Sequence, residues 1–430
     1  MAFLVSRDSG QMAELGFSPY AHVPFLLSRD MKYLDEFNRF LRERALGTWH
    51  PNNRNGTAFG RVRALGANSA SAYADDLKNF ASYLETKRLS WTTLTYQQLL
   101  DTYDVDQSTG KWRSRGKNPL AASTINRRMN TVVEFLLWAS DRQIRGEFQI
   151  QRSALPQRRA ARARSWSSDS PIDSRVGIHR ANPKRLRLPT SEEIEIWLAE
   201  VRARHGRARY MAIKFILQTG CRLEETSLVR AAQVPDPQSI DLDMPARMDI
   251  EFGTKGKRNP FDPDLRGKPR TLRFSRSFLV ELHNYKELAR EKALKAFRAR
   301  DEAAPLPLRL FLDEDTGRPL STQAIYRAWK TAVNLPFPGW SPHLGRHAFA
   351  CYQLLRLLTE EAALIQRTLS SVPRAQTLLQ VENLISVFLS PVMGHVDEKT
   401  TETYLEWVAD HLWVSEHRRA WTSYLEDGDE

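Results

Sequence analysis

The sequence predicts a mainly α-helical protein with a small antiparallel β-sheet, built as a helical N-terminal domain and a mixed α+β C-terminal domain. Three observations carry this. Apolar residues recur at helical spacing in both halves of the chain. Period-two alternation is confined to two short stretches, Met248–Phe252 and Thr271–Phe274. A basic stretch poor in large apolar residues, Ile150–Leu188, separates the halves. With 430 residues the chain has room for two or three domains.

In chain order, residues 1–66 read as an N-terminal extension. Met31–Arg44 is the one helical candidate there, and 1–30 and 47–66 carry no clear period. Residues 67–149 read as a helical domain. Tyr73, Leu77, Phe80 and Leu84 fall at i, i+4, i+7 and i+11, and Ile125, Met129, Val132 and Leu136 repeat that spacing. Ser123 is placed to cap the second of these helices, and Leu99 and Leu100 belong to a short helix between them. Residues 150–188 read as a linker containing Pro156, Pro171 and Pro183. Residues 189–430 form the second domain. Thr190-Ser191-Glu192-Glu193 is a capping-box pattern ahead of Ile194, Trp197, Leu198 and Val201. A further helix, Tyr210–Gln218, stops at Gly220, a good C-cap residue. Two strands then flank a basic Pro/Gly-containing connection, Gly253–Arg270, and the remainder returns to helix.

Composition bounds the function. Two cysteines, Cys221 and Cys351, exclude a disulfide framework or a Cys-rich zinc module. The apolar runs are far shorter than the roughly 18 residues a membrane span needs, and the N-terminus lacks the apolar core of a signal peptide. A cytoplasmic protein with no membrane partner is expected. The net charge is +12, which suggests an anionic partner. Ten Lys/Arg stand against two Asp in the 39 residues of Ile150–Leu188. An anionic partner, most often nucleic acid, would meet Arg158, Arg159, Arg162, Arg164, Lys184, Arg185 and Arg187, with Arg127 and Arg128 on the Ile125 helix as further candidates.

Four local patterns bear chemistry. Thr219-Gly220-Cys221-Arg222-Leu223-Glu224-Glu225 puts an arginine just past a helix end. Ser341-Pro342-His343-Leu344-Gly345-Arg346-His347 opens a helix, with Ser341 suited to the cap and Pro342 to the first position. The N–H groups of that first turn suit a phosphate. His343 and His347 at i, i+4 could also ligate a metal, but the arginine between them repels a cation, and no metal or other cofactor is expected. Met393-Gly394-His395 is followed nine residues later by Tyr404 in Thr400-Thr401-Glu402-Thr403-Tyr404. Thr254-Lys255-Gly256-Lys257-Arg258 lies in the strand connection.

Taken in order, these patterns resemble the tyrosine recombinase (phage integrase) family, whose signature is TGxRxxE, a hairpin lysine, HxxR(H/W/K), LGH and TxxxY. The resemblance spans about Leu188 to Trp407, and Asn68–Trp138 is similar, less specifically, to the family's SAM-like core-binding domain. It implies that the partner is double-stranded DNA and the protein a site-specific DNA recombinase acting in integration, excision or transposition of a mobile element. Tyr404 would attack the phosphodiester, giving a 3′-phosphotyrosyl link and a free 5′-hydroxyl. Arg222 and Arg346 would grip the non-bridging oxygens as forked donors. Lys255, or alternatively Lys257, would protonate the leaving oxygen. His343 and His395 would hydrogen-bond the phosphate and assist proton transfer. Glu225 would orient Arg222, and His347 would brace the site.

The sequence departs from the family at Met393, where leucine is usual. It also departs in the 49 positions between Arg346 and His395, which imply an insertion around Glu360–Ile385. The resemblance further implies dimers or tetramers on DNA, with the aromatic tail Leu405–Leu425 docking on a neighbour or on its own domain, and it admits helper proteins. Two other readings stand beside it: a topoisomerase IB-like or telomere-resolving enzyme, and a catalytically silent DNA-binding accessory protein of the same fold.

Overall fold

The computed structural model describes residues 2–6, 9–51, 64–112, 119–152, 175–180, 186–240, 244–250, 269–368, 393, 404 and 407. The chain divides into two units, Met1–Pro183 and Lys184–Glu430, each with its own apolar core.

In the first unit, β1 (Phe3–Val5) pairs antiparallel with β2 (Phe25–Leu27), Leu4 facing Leu26, and α1 (Ser9–Glu14) lies between them in sequence. Helix α2 (Asp35–Leu46) opens with Asp35 and Glu36 at its positive dipole end and stops at Gly47, whose φ is 75°. It packs with α3 (Ala67–Lys87) and α6 (Ala122–Asp141). Between α3 and α6 run α4 (Tyr96–Leu99), a π-helical turn and α5 (Val105–Ser108). Thr95 and Gln98 cap α4 reciprocally. Phe37 stacks on Phe135 with centroids 4.4 Å apart. Beside that stack, Glu134 accepts from Arg44 Nε at 2.8 Å and from the Tyr73 hydroxyl at 2.9 Å.

Three sequence expectations change here. Val23, Leu26, Phe37, Phe40, Leu41 and Trp49, all from the stretch read as an extension, are buried in the same core as Leu77, Phe80, Val132 and Leu136. Ser123 does not cap α6: Ala121 already adopts the extended cap backbone (φ −63°, ψ 141°), which leaves Ser123 inside the first turn. The supposed linker is anchored at residues 175–180. There Asn126 bonds both the N–H and the carbonyl of His179 (2.9 and 2.8 Å), and His179 Nε2 lies 2.7 Å from Asp104 Oδ2. The centre of the basic stretch, with Arg158, Arg159, Arg162, Arg164, Lys184 and Arg185, lies outside the described residues.

The second unit opens on α7 (Ser191–Thr219), capped by Thr190 and Glu193 as its sequence predicts. Gly206 (φ 81°, ψ 174°) breaks it in two. After the short α8 (Leu223–Leu228), β3 (Ala246–Ile250) pairs antiparallel with β4 (Arg270–Phe274), Met248 facing Leu272. Alternate residues of both strands are buried. Then follow α9 (Arg276–Asn284), a π-helical turn, α10 (Glu291–Arg300), α11 (Thr322–Thr331) and α12 (Pro342–Thr368). Arg270, expected in the connection, is the first residue of β4. Residues 251–268, with Lys255 and Lys257, and 369–392, holding most of the supposed insertion, lie outside the described residues.

Trp197 of α7, Trp329 of α11 and Trp340 form a buried triad with centroid separations of 4.7, 5.4 and 5.8 Å. It backs the start of α12: a Cβ on Gly345 would stand 2.4 Å from a ring carbon of Trp329. Gly-to-Ala inside a helix ordinarily stabilises by up to about 1 kcal/mol. At position 345 the sign should reverse, because the fully buried Trp329 ring has nowhere to move. Gly345→Ala is expected to destabilise the protein by about 1–3 kcal/mol, measured by urea unfolding; a stabilised variant would contradict this packing.

Candidate active site

The site forms where α7 ends. Gly220 takes the left-handed conformation (φ 65°) that stops the helix, and a Cβ there would overlap Phe349 and the Met393 sulfur at 2.5 and 2.7 Å. Arg222 follows as the N-cap of α8. Its backbone N–H donates to Glu225 Oε2 at 2.9 Å and its Nη1 donates to Glu225 Oε1 at 2.8 Å. Glu225, whose side chain is fully buried, also holds Arg270 of β4, which donates to Oε1 at 3.0 Å and to Oε2 at 2.5 Å. One carboxylate thus orients two guanidiniums from different elements. Burial would raise the Glu225 carboxyl, but Arg270, Arg222 and the Arg222 N–H outweigh it and hold it down at about 2. Cys221 is buried behind this pair, and burial pushes its thiol up to about 11.

Arg346 comes from the first turn of α12. Ser341 Oγ accepts from the Leu344 N–H at 3.4 Å, and Pro342 is the first helical residue. Arg346 is buried, and its Nη1 and Nη2 donate to the Gly220 and Met393 carbonyls. It therefore ties the end of α7 to the segment carrying Met393. Burial, then the positive charges of Arg222 and Arg270, lower its guanidinium to about 10, against Glu225 and Tyr404, which act the other way.

His343 and His347, one turn apart on α12, meet through their Nε2 atoms at 3.0 Å. His343 is exposed and His347 half-buried. His347 Nδ1 lies 3.0 Å from the Tyr404 hydroxyl. The Tyr404 side chain is fully buried in a cluster with Phe349, Ala350, Cys351, Leu354 and Met393. Burial raises its phenol, and the charges of Arg346 and Arg222 counteract that. Burial, then His343 and Arg346, lower His347 to about 4, so it is neutral at physiological pH.

Of the residues expected from sequence, Arg222, Glu225, Arg346, His343, His347 and Tyr404 fall in this one region. His395, Lys255 and Lys257 lie outside the described residues. Arg127 and Arg128 both face the buried Asp76: Arg127 Nη1 is 2.8 Å from Oδ2, and Arg128 Nε is 3.8 Å from Oδ1. Arg187 is exposed, its guanidinium 4.6 Å from the Phe337 ring centre. Trp407, the first tail aromatic, packs edge-on against Tyr352 of its own unit at 5.7 Å. Arg270 escaped the sequence reading. Its signal was strand parity, since position 270 shares the face of Leu272 and Phe274, so an arginine there points toward the core and requires an anion.

Residues 58–143 match the model of the phage integrase N-terminal SAM-like domain. The chain is 26% identical over 294 residues to the tyrosine recombinase XerC of Roseiflexus castenholzii, covering 68% of this chain and 76% of that one. Among solved structures, the XerH site-specific recombinase bound to palindromic difH is 16% identical with a TM-score of 0.48, covering 91% of this chain and 90% of that one. The Tn1549 transposon integrase with transposon right-end DNA is 12% identical with a TM-score of 0.43, covering 79% and 89%. These matches make the chain similar to proteins of the tyrosine recombinase (phage integrase) family.

The Glu225 ion pairs have a pH signature. A carboxyl held below its unfolded value adds stability that is complete above the unfolded pKa, about 4.3. It is lost as pH falls through the folded value near 2. Glu225→Gln should therefore cost about 3 kcal/mol at pH 7 and flatten the loss of stability between pH 4 and 2, both read from urea unfolding across pH. An unchanged acid limb in the variant would contradict the assignment.

Proposed function

We propose that this chain is a site-specific recombinase that cuts and rejoins double-stranded DNA through a 3′-phosphotyrosyl intermediate, in the integration, excision or transposition of a mobile element. The observation that carries the reading is an uneven charge balance around a tyrosine. Arg222 and Arg270 bond one buried carboxylate, Glu225, a third guanidinium, Arg346, donates to the Gly220 and Met393 carbonyls, and the Tyr404 hydroxyl stands beside them on His347. Such a site is short of negative charge and has a nucleophile. A phosphodiester supplies the missing anion, and two forked guanidiniums match the oxygens on which charge grows in the transition state.

In this mechanism the Tyr404 oxygen attacks phosphorus in line with the departing 5′-oxygen. Arg222 and Arg346 bind the non-bridging oxygens, and His343 and His395 add hydrogen bonds. Lys255, with Lys257 as the alternative, gives the 5′-oxygen its proton. The phosphotyrosyl link conserves the bond energy, so attack by another strand's 5′-hydroxyl rejoins the DNA. The basic stretch 150–188 and the net charge of +12 support DNA as the partner and a steep loss of affinity with salt. Exchange between two duplexes calls for self-association on DNA, to dimers or tetramers, and the cytoplasm is the proposed compartment.

The test is a nicked suicide DNA from the flanks of the gene, incubated with EDTA and resolved on a denaturing gel. Wild type is expected to form a covalent adduct, and Tyr404→Phe to bind the same DNA without forming one. An adduct that survives Tyr404→Phe overturns the nucleophile assignment. Binding without any wild-type adduct moves the reading to an accessory DNA-binding protein. Lys255→Ala should slow cleavage by about 10²–10⁴ and recover on DNA with a 5′-bridging sulfur, whose departure needs no proton. That pattern in Lys257→Ala instead moves the general acid there.

A further inference from the structure

We propose that His347 is the proton acceptor for the Tyr404 hydroxyl and hands a proton on to His343, so that two imidazoles link the buried nucleophile to the surface. The inference rests on the recombinase reading and assigns His347, expected from sequence to brace the site, a direct part in the chemistry.

The geometry is a line of three groups. Tyr404 Oη lies 3.0 Å from His347 Nδ1, and His347 Nε2 lies 3.0 Å from His343 Nε2. Tyr404 is buried, His347 half-buried and His343 exposed, so the line runs from the core outward. A bracing histidine commonly fixes one nitrogen on a backbone carbonyl. Here each ring nitrogen of His347 meets a titratable side chain.

Two facing Nε2 atoms at 3.0 Å share a single hydrogen. With Tyr404 donating to Nδ1, that hydrogen belongs to His347 and points at His343. Around His347 stand His343 and Arg346 from its own helix and Tyr404 opposite, with Arg222 acting on Tyr404. Burial and Arg346 disfavour a resting imidazolium there. The proton therefore passes through His347 rather than staying on it.

The step balances. As the bond from Tyr404 Oη to phosphorus forms and the bond from phosphorus to O5′ breaks, the hydroxyl proton moves to His347 Nδ1. The proton on His347 Nε2 moves to His343 Nε2, which becomes the imidazolium at the surface. The 5′-oxygen takes its own proton from the general acid. Rejoining runs each transfer in reverse. His343 serves Tyr404 through His347, because it is His347 that touches the hydroxyl.

The experiment uses the full chain on nicked suicide DNA with EDTA, with wild type and Tyr404→Phe as references. A Tyr404-dependent wild-type adduct upholds the recombinase reading and makes the relay decidable. Absence of that adduct overturns both. His347→Ala is expected to bind DNA like wild type and to form adduct about a hundredfold more slowly. Added imidazole should restore about tenfold or more of that loss, by the same proton-transfer logic, without accelerating wild type. His347→Phe, which fills the space without a nitrogen, should be equally slow and not rescued. Adduct formation by His347→Ala near the wild-type rate overturns the relay, as does slowing that imidazole leaves untouched. Should His347→Ala lose its fold, ¹⁵N-histidine NMR of the wild type decides instead. The relay requires a neutral His347 at pH 7 with Nδ1 unprotonated, and a proton on Nδ1 overturns it.

Discussion

A carboxylate buried without its counterions is among the costliest groups a fold can contain. Glu225 is tolerable because Arg222, the Arg222 backbone N–H and Arg270 all converge on its two oxygens. That requirement organises the site. It fixes the turn after α7, holds the first turn of α8, and draws β4 in so that its opening residue reaches the same point. Removing any partner leaves the others as uncompensated charge in a dry setting, so the three act as a unit rather than as separable contacts.

Arg346 extends the same logic to the nucleophile. By donating to the carbonyls of Gly220 and Met393, 126 positions before it and 47 after it, Arg346 binds the end of α7 to the segment carrying Met393. Gly220 must be glycine for both its positive φ and its contact with Phe349 and Met393. Phe349 and Met393 in turn belong to the cluster that buries Tyr404. Burial first, and then the neighbouring charges of Arg222 and Arg270, lower the Arg346 guanidinium. In the proposed reaction a phosphate would offset that positive charge, so that binding and charge stabilisation draw on one preorganised arrangement.

The parts legible in the sequence are those governed by neighbours in the chain. The Thr190–Glu193 box, the Gly220 stop, the Ser341–Pro342 start and the two helical stripes are local rules, and they hold in the structure. The family signature named Arg222, Arg346, His343 and Tyr404 because their order along the chain is informative even when their spacing varies. What escaped depends on partners distant in sequence. Arg270 finds Glu225 across 45 positions, His347 finds Tyr404 across 57, and Arg127 finds Asp76 across 51. Residues 1–66 read as an extension because three-residue strands carry too few residues to show a period, yet Val23 and Leu26 are fully buried. Position 270 shows that some of this was readable, since strand parity alone turns its arginine inward.

The central claim is that Tyr404, on this arginine platform, forms the covalent link to DNA. Its most direct test is to trap the complex, digest it with nuclease and protease, and locate the nucleotide-bearing peptide by mass spectrometry. The account predicts a nucleotide joined through its 3′-phosphate to Tyr404. A nucleotide on any other residue, or one joined through its 5′-phosphate, would contradict it.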